Sequence, residues 1–128
     1  MSEEQKKPKI LFVDDDPNIR LLYETVFKKE GYDVLLAESG EQGRAIIDET
    51  PDIDLVVLDI KMKGESGLKT LQQLVKEKRN IPVIICSAYS SYQDDFTSWL
   101  ADAYVVKSPD LTDLKREIKR LLGRQNKA

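Results

Sequence analysis

The feature that most constrains the fold is the alternation of short apolar runs with segments of helical periodicity. Parallel strands covered on both faces are nearly continuous hydrophobes, and the three middle runs have this character. Strands that alternate with helices predict a parallel sheet with right-handed crossovers. The five predicted strands are KILFVD (9–14), DVLLA (33–37), DLVVLD (54–59), IPVIICS (81–87) and AYVV (103–106).

The segments between these runs predict the helices. The first helix begins at Pro17, ends at Gly31, and carries Ile19, Leu22, Tyr23, Val26 and Phe27 on one face. Two further stripes are Leu68, Leu71, Leu74 and Val75, and then Leu111, Leu114, Ile118, Leu121 and Leu122. A shorter aromatic stripe consists of Tyr92, Phe96, Trp99 and Leu100, of which we expect Phe96 and Trp99 to lie in the core. Residues 41–49 show only weak helical periodicity, around Ala45 and Ile46. The predicted fold class is α/β, a doubly wound five-stranded parallel sheet with helices on both faces.

Length and composition limit the classes of protein. The 128 residues suit one domain, with a flexible segment at 1–8, the domain at 9–122 and a tail at 123–128. The net charge of −3 argues against direct binding of nucleic acid. No apolar run approaches the ~18 residues of a membrane span, so we expect no membrane association. The single cysteine, Cys86, suits a reducing cytoplasm and reads as a small core hydrophobe.

Polar residues follow the predicted strands: Asp14 and Asp15 the first, Asp59 the third, Ser87 the fourth and Lys107 the fifth. Ligands of doubly wound sheets bind beyond the carboxyl ends of the strands, at the switch point between the first and third. Neighbouring carboxylates repel unless a cation offsets their charge. Carboxylate oxygens are the ligands that Mg²⁺ prefers, so we expect Mg²⁺ here, with Mn²⁺ as the alternative ion.

This set of side chains predicts phosphoryl transfer, in which catalysis depends on positioning and on neutralising charge. Asp59 would be the nucleophile, Lys107 a point charge for a phosphoryl oxygen and Ser87 a hydroxyl donor. A flavin-binding module is disfavoured because three aspartates would repel its phosphate. A haloacid-dehalogenase-type phosphatase expects an acid where Lys61 stands, and the P-loop pattern is absent.

Four motifs carry a resemblance to a known family: ILFVDDDP, LVVLDIKM, VIICSAY and AYVVKS, in this order. Together they resemble the receiver domain of two-component response regulators, from Lys9 to about Leu122. The resemblance implies a flavodoxin-like or CheY-like sheet of order 2-1-3-4-5. It also implies that a histidine kinase or phosphotransfer protein phosphorylates Asp59, with Mg²⁺ held by Asp14 or its water, Asp15, Asp59 and the backbone carbonyl of Lys61.

The resemblance further implies a regulatory domain rather than an enzyme, one that promotes its own phosphorylation and slow autodephosphorylation. Ser87 and Tyr104 would be the switch residues. The face of the fourth helix, fifth strand and last helix would bind a downstream protein or a second copy of the chain. Asn18, Leu22 and Thr25 are candidate kinase contacts. A degenerate receiver, acting as a phosphorylation-independent interaction module, stays open as the alternative.

The chain departs from the family pattern at two loops. Ser108 intervenes between Lys107 and the following proline, which makes Ser108 a candidate N-cap of the last helix and leaves the isomer of the Lys107–Ser108 bond open. Lys63 replaces a proline after Asp59, which predicts a more mobile loop. Lys61 and Tyr89 occupy positions that tune water access in the resembled family, and we expect them to slow autodephosphorylation. Asp16 reads as the N-cap of the first helix.

Overall fold

The computed structural model describes residues 7–91 and 95–125. All five strands of the sheet are parallel, in the order β2-β1-β3-β4-β5, which confirms the predicted fold class and strand order. None of the helices within the described ranges is long and apolar enough to cross a bilayer. The elements are β1 (Lys9–Val13), α1 (Pro17–Lys29), β2 (Asp33–Ala37), α2 (Gly40–Glu49), β3 (Leu55–Leu58), α3 (Gly67–Lys76), β4 (Val83–Ser87), a 3₁₀ helix (Phe96–Leu100), β5 (Ala103–Val106) and α4 (Thr112–Gln125).

The sheet buries hydrophobic side chains on both faces because successive residues of a strand point in opposite directions. In β1, Ile10 and Phe12 join one cluster with α1 and α4, whereas Leu11 and Val13 join another with α2 and α3. Phe12 packs against Phe27 of α1, with ring centroids 5.1 Å apart. The central strands are therefore covered by helices on both sides, as their apolar composition predicts.

Helix α1 begins and ends where the sequence predicts. The Asp16 side chain accepts a hydrogen bond from the backbone N–H of Asn18 at 2.8 Å, and Pro17 is the first helical residue. This confirms Asp16 as the N-cap. Gly31 follows the helix with a φ of +96°, a left-handed conformation that residues with a Cβ rarely adopt. Because Asp16 is the N-cap, Asp14 and Asp15 lie before the helix, in the loop that follows β1.

The start of α4 differs from the prediction. The helix begins at Thr112, so Ser108 is not its N-cap. The Ser108 hydroxyl accepts from the Asp110 N–H, and the Asp110 carboxylate accepts from the Thr112 N–H. Successive local side-chain contacts thus delay the helix, which then continues to Gln125. No cis peptide bond occurs in residues 7–91 and 95–125, so the Lys107–Ser108 bond is trans.

The described part of the aromatic stripe before β5 is not an α-helix. Tyr92 and the Phe96 side chain lie outside the described part of the chain, and Phe96–Leu100 form a short 3₁₀ helix. Trp99 is 64% exposed, so its predicted core position is wrong. A 3₁₀ helix has three residues per turn rather than 3.6, which changes the residues that face inward. Ser98 of this segment is buried, with 5% of its surface exposed.

Candidate functional site

The predicted site residues lie together at the carboxyl ends of β1, β3, β4 and β5. The N–H of Asp14 donates to the Ala37 carbonyl at 3.0 Å, and the N–H of Asp59 donates to the Val13 carbonyl at 3.0 Å. The N–H of Lys107 donates to the Ser87 carbonyl at 2.7 Å. The hydrogen bonds between strands therefore continue to the site residues themselves, and the sheet positions their backbones.

An ammonium group lies between two buried carboxylates. Lys107 Nζ is 2.7 Å from Asp14 Oδ2 and 3.2 Å from Asp59 Oδ2. The two carboxylate side chains are 2% and 8% exposed, and the lysine side chain is 20% exposed. Because these charges are shielded from water, their interaction is stronger than that of a surface pair. Lys107 is thus the cation that holds this acidic cluster together.

Backbone N–H groups orient the remaining carboxylate oxygens. Asp14 Oδ1 accepts from the Asp16 N–H at 3.0 Å, and Asp59 Oδ1 accepts from the Ile60 N–H at 2.8 Å. Asp15 is half-buried, and its Oδ2 accepts from the Lys63 N–H at 3.1 Å. Lys63 stands where the resembled family carries proline, and a proline would have no N–H to donate here. The departure from the family pattern therefore supplies a contact to the acidic cluster.

Arg20 is a contact of this site that the sequence analysis missed. Its NH1 nitrogen donates to the Asp14 backbone carbonyl at 2.7 Å. The residue lies one turn into α1, where a charged side chain is typical of the solvated face of an amphipathic helix. No local signal distinguishes Arg20 from the other charged residues of that helix, because its partner depends on how the helix packs against β1.

The cluster carries more negative than positive charge, since three carboxylates surround one ammonium group. Burial and the negative charge of Asp14 raise the pKa of Asp59 to about 6, against the lowering effect of Lys107 and the Ile60 N–H. Burial lowers the pKa of Lys107, but the hydrogen bond to Asp14 and the charges of Asp59 and Asp14 outweigh this and raise it. One ammonium therefore does not fully compensate the carboxylates, and an added cation is favoured.

The donor set fits a hard divalent cation. One carboxylate oxygen from each of Asp14, Asp15 and Asp59 lies within 4.8 Å of the other two. Oxygen ligands in a group with excess negative charge are the environment that Mg²⁺ prefers. Lys61 lines the same surface pocket as Asp15, which is consistent with the predicted role of its backbone carbonyl. That role of Lys61 stays a prediction.

The predicted switch and tuning residues form a connected set. Ser87 is fully buried, and its Oγ accepts from the Tyr89 N–H at 3.1 Å. The hydroxyl of half-buried Tyr104 donates to the Tyr89 carbonyl. Lys61 Nζ lies 5.2 Å from the centroid of the Tyr89 ring, at cation–π distance. Tyr89 thus contacts both candidate switch residues, Ser87 and Tyr104, and also Lys61 in the loop after Asp59.

Gly67 limits how the segment after Asp59 can pack. A Cβ at this position would lie 1.8 Å from the Asp59 backbone carbonyl oxygen, a distance that no side chain tolerates. The Gly67 N–H donates to the Ile60 carbonyl at 2.8 Å. The start of α3 therefore packs directly on the backbone of the candidate nucleophile, which helps to hold Asp59 in place.

The sequence also matches a known protein family over most of its length. Residues 10–119 match the family model of the response regulator receiver domain. The chain belongs to this family. It is a regulatory receiver domain of two-component signalling, as the four sequence motifs imply, and the resemblance stated from them is confirmed.

Solved structures support the assignment of the receiver domain. TrrA from Thermotoga maritima, crystallised in complex with Mg²⁺-BeF, is 43% identical with a TM-score of 0.85, covering 89% of this chain and 98% of TrrA. The crystal structure of the histidine kinase ThkA in complex with TrrA contains a chain with 43% identity and a TM-score of 0.83, covering 90% of this chain and 98% of that chain. Both likenesses extend over nearly the whole domain.

Curated relatives are longer than the receiver domain. The transcriptional regulatory protein CpxR of Klebsiella pneumoniae is 34% identical over 120 residues, which cover 92% of this chain and 50% of CpxR. A probable transcriptional regulator, ycf27 of Porphyridium aerugineum, is 38% identical over 126 residues, covering 96% of this chain and 51% of the relative. The receiver domain thus spans about half the length of the curated relatives it matches.

Proposed function

We propose that this receiver domain accepts a phosphoryl group on Asp59 from a histidine kinase or phosphotransfer protein, in a reaction that depends on Mg²⁺. The observation that supports this most directly is the position of Lys107 between the Asp14 and Asp59 carboxylates, beside Asp15. TrrA has been crystallised with Mg²⁺-BeF and with a histidine kinase, which supports the same chemistry and the same class of partner here.

Each residue of the site has a separate role in the proposed phosphoryl transfer. A carboxylate oxygen of Asp59 attacks phosphorus, a P–O bond forms, and the bond from phosphorus to the donor's histidine nitrogen breaks. Lys107 stabilises negative charge on a phosphoryl oxygen. The Ser87 oxygen accepts from the Tyr89 N–H, which leaves its own hydroxyl proton free to donate to the phosphoryl group. Asp14, Asp15 and Asp59 would hold Mg²⁺, which would supply positive charge to neutralise the phosphoryl oxygens.

Phosphorylation would be transmitted through Tyr89. A movement of Ser87 toward the phosphoryl group changes its contact with the Tyr89 N–H, while Tyr104 bonds to the carbonyl of the same residue. In this proposal the phosphoryl group stabilises a second conformer by its extra contacts, and Tyr104 changes position with it. Ser87 and Tyr104 are therefore the proposed switch residues.

The proposed partners use two surfaces. The surface of the 3₁₀ helix, β5 and α4, with Val106 42% exposed, is the proposed site for a downstream protein, with a homodimer as the second candidate. On α1, Asn18, Leu22 and Thr25 are exposed and form the proposed kinase contact. We also infer a cytoplasmic location, which the single buried thiol of Cys86 suits.

Acetyl phosphate, a small phosphoryl donor, tests the proposal without knowledge of the kinase. Intact mass spectrometry is expected to show one added phosphoryl group in the presence of Mg²⁺ and none when EDTA replaces the metal. Borohydride reduction of the acyl phosphate, followed by peptide mapping, should locate the modification at Asp59. The absence of any adduct on the parent chain would contradict the proposal and favour the passive interaction module.

Lys61→Ala and Tyr89→Ala are each expected to speed loss of the phosphoryl group, because both side chains shield Asp59 from water in the proposed state. Loss of an exposed cation–π contact of ~0.5–1 kcal/mol corresponds to about a two- to fivefold faster release. The measurement is the appearance of inorganic phosphate after removal of the donor. Lys28→Ala, on the exposed face of α1, is the control, and unchanged rates in both site variants would discard this role.

A further inference from the structure

A second group of charged residues lies next to the phosphoacceptor site, where α2 meets the loop between β3 and α3, with Glu65 buried and Arg44 half-buried. Arg44 Nε donates to Glu65 Oε2 at 3.0 Å, and the Arg44 NH2 nitrogen donates to Oε1 at 2.6 Å. The Thr70 hydroxyl donates to Glu65 Oε2 at 2.5 Å. The Glu65 side chain is only 6% exposed. We refer to Arg44, Glu65 and Thr70 as the Glu65 clamp.

The Glu65 clamp is closely packed. A Cβ on Gly40, the first residue of α2, would lie 2.1 Å from Thr70 Oγ1 and 2.9 Å from Glu65 Oε2. Only glycine therefore allows α2 to approach the clamp this closely. The hydrogen bond from Arg44 lowers the pKa of Glu65, so the carboxylate remains ionised and retains the two-pronged contact. The clamp joins α2, α3 and the intervening loop in one defined arrangement.

The same loop contacts the acidic cluster at its other end. The Lys63 N–H donates to Asp15 Oδ2, and the Ile60 N–H donates to Asp59 Oδ1. Residues 60–66 are therefore held on one side by the carboxylates and on the other by the Glu65 clamp. A displacement of the loop at Glu65 would move the Lys63 N–H, and with it the contact that orients Asp15.

We propose that Arg44, acting through Glu65, is a positioning residue that fixes the loop 60–66 and thereby orients Asp15 toward a bound divalent cation. The inference rests on the proposed metal site of the receiver domain. Buried ion pairs contribute little net stability compared with hydrophobic residues of similar volume, but bidentate contacts are directional. The pair as a whole is therefore expected to contribute to the geometry of the loop more than to the free energy of unfolding, whereas removal of Arg44 alone also leaves the Glu65 carboxylate without its cation.

The first experiment compares Arg44→Met with Arg79→Met. Arg79 makes an exposed ion pair with Asp48 of α2, so it is a matched arginine away from the loop. Calorimetric titration with Mg²⁺ is expected to show about tenfold weaker binding for Arg44→Met, the low end for residues that orient metal ligands. Hydrogen exchange of the Lys63 amide in the metal-free protein should be faster. Arg79→Met should change neither, since exposed pairs contribute little.

A double variant, Arg44→Met with Glu65→Met, separates positioning from stability. Hydrophobic replacement of a buried pair is expected to leave the fold stable even if the single variant fails to fold. We expect the double variant to bind Mg²⁺ about as weakly as Arg44→Met and to keep the fast exchange at Lys63. Parent-like Mg²⁺ affinity and parent-like exchange in the double variant would overturn the inference.

The two proposals fail in different ways. A parent protein that binds no Mg²⁺ would contradict the proposed metal site. The exchange rate of the Lys63 amide in metal-free protein would then still decide whether Arg44 fixes the loop. If the parent binds Mg²⁺ and Arg44→Met matches it in both affinity and exchange, the metal site stands and the positioning role of Arg44 is wrong.

Discussion

Asp59→Asn is expected to abolish uptake of a phosphoryl group from acetyl phosphate, since an amide oxygen is a far weaker nucleophile than a carboxylate. The fold should survive the change. Burial and the charge of Asp14 raise the pKa of Asp59 from 3.8 to about 6, so its ionised form is disfavoured in the folded state. The neutral amide should therefore raise the free energy of unfolding at pH 7, without divalent cations, by about 1–3 kcal/mol.

This gain in stability depends on pH in a defined direction. An acid whose pKa is higher in the folded state destabilises the fold above that pKa, and the effect disappears below the unfolded pKa. The stability advantage of Asp59→Asn over the parent is thus full above about pH 6 and vanishes as pH falls toward 3.8. Urea denaturation of both proteins at several pH values, in EDTA, measures it.

Asp16→Asn is the matched control for Asp59→Asn. It makes the same chemical change two residues from Asp14, but at an exposed N-cap position where asparagine serves as well as aspartate. We expect normal phosphorylation and little change in stability. A phosphate adduct that persists on Asp59→Asn would show that another residue is modified and would contradict the assignment of the phosphoacceptor.

Lys107→Met is expected to lose most of its phosphorylation and to be strongly destabilised. Removal of the ammonium leaves the buried Asp14 and Asp59 carboxylates facing each other without a cation. Breaking a buried pair costs ~3–5 kcal/mol, and we expect about 3 kcal/mol because Asp59 can take up a proton. The measurements are urea denaturation in EDTA and the rate of adduct formation from acetyl phosphate.

Mg²⁺ and a surface control distinguish this effect from a general loss of packing. Excess Mg²⁺ should stabilise Lys107→Met more than the parent, because binding to the folded state compensates the added negative charge. Lys28→Met removes an exposed ion pair with Glu24 and should cost less than ~1 kcal/mol. Equal stability of the two variants would contradict the role of Lys107 in the acidic cluster.

The sequence predicted the strands well because their composition reflects burial on two faces. Runs such as LVVL in β3 have no polar alternation, which is typical of a strand covered on both sides. The end of each run then placed its polar residue at one edge of the sheet. For this reason Asp14, Asp59 and Lys107 were identified together although they lie far apart in the chain.

The errors arose where two local signals competed. Ser108 followed by Pro109 is a genuine helix-start signal, but the Asp110 carboxylate accepts from Thr112 and the helix starts later. Trp99 fits an apolar stripe with α-helical spacing, yet the described segment is a 3₁₀ helix that buries Ser98 instead. Such choices differ by about one hydrogen bond, ~1 kcal/mol, so the surrounding structure decides them.

By itself the sequence determined the α/β fold, the strand order implied by the family motifs, and the kinds of charge that converge at one edge of the sheet. Only the tertiary structure decided which polar and charged groups of the chain contact one another. The Arg44–Glu65 pair and the contact from the Lys63 N–H to Asp15 join segments that are 21 and 48 residues apart. Hydrogen bonds depend on tenths of an ångström and on direction, and these are set by sheet twist and loop packing rather than by local residue patterns.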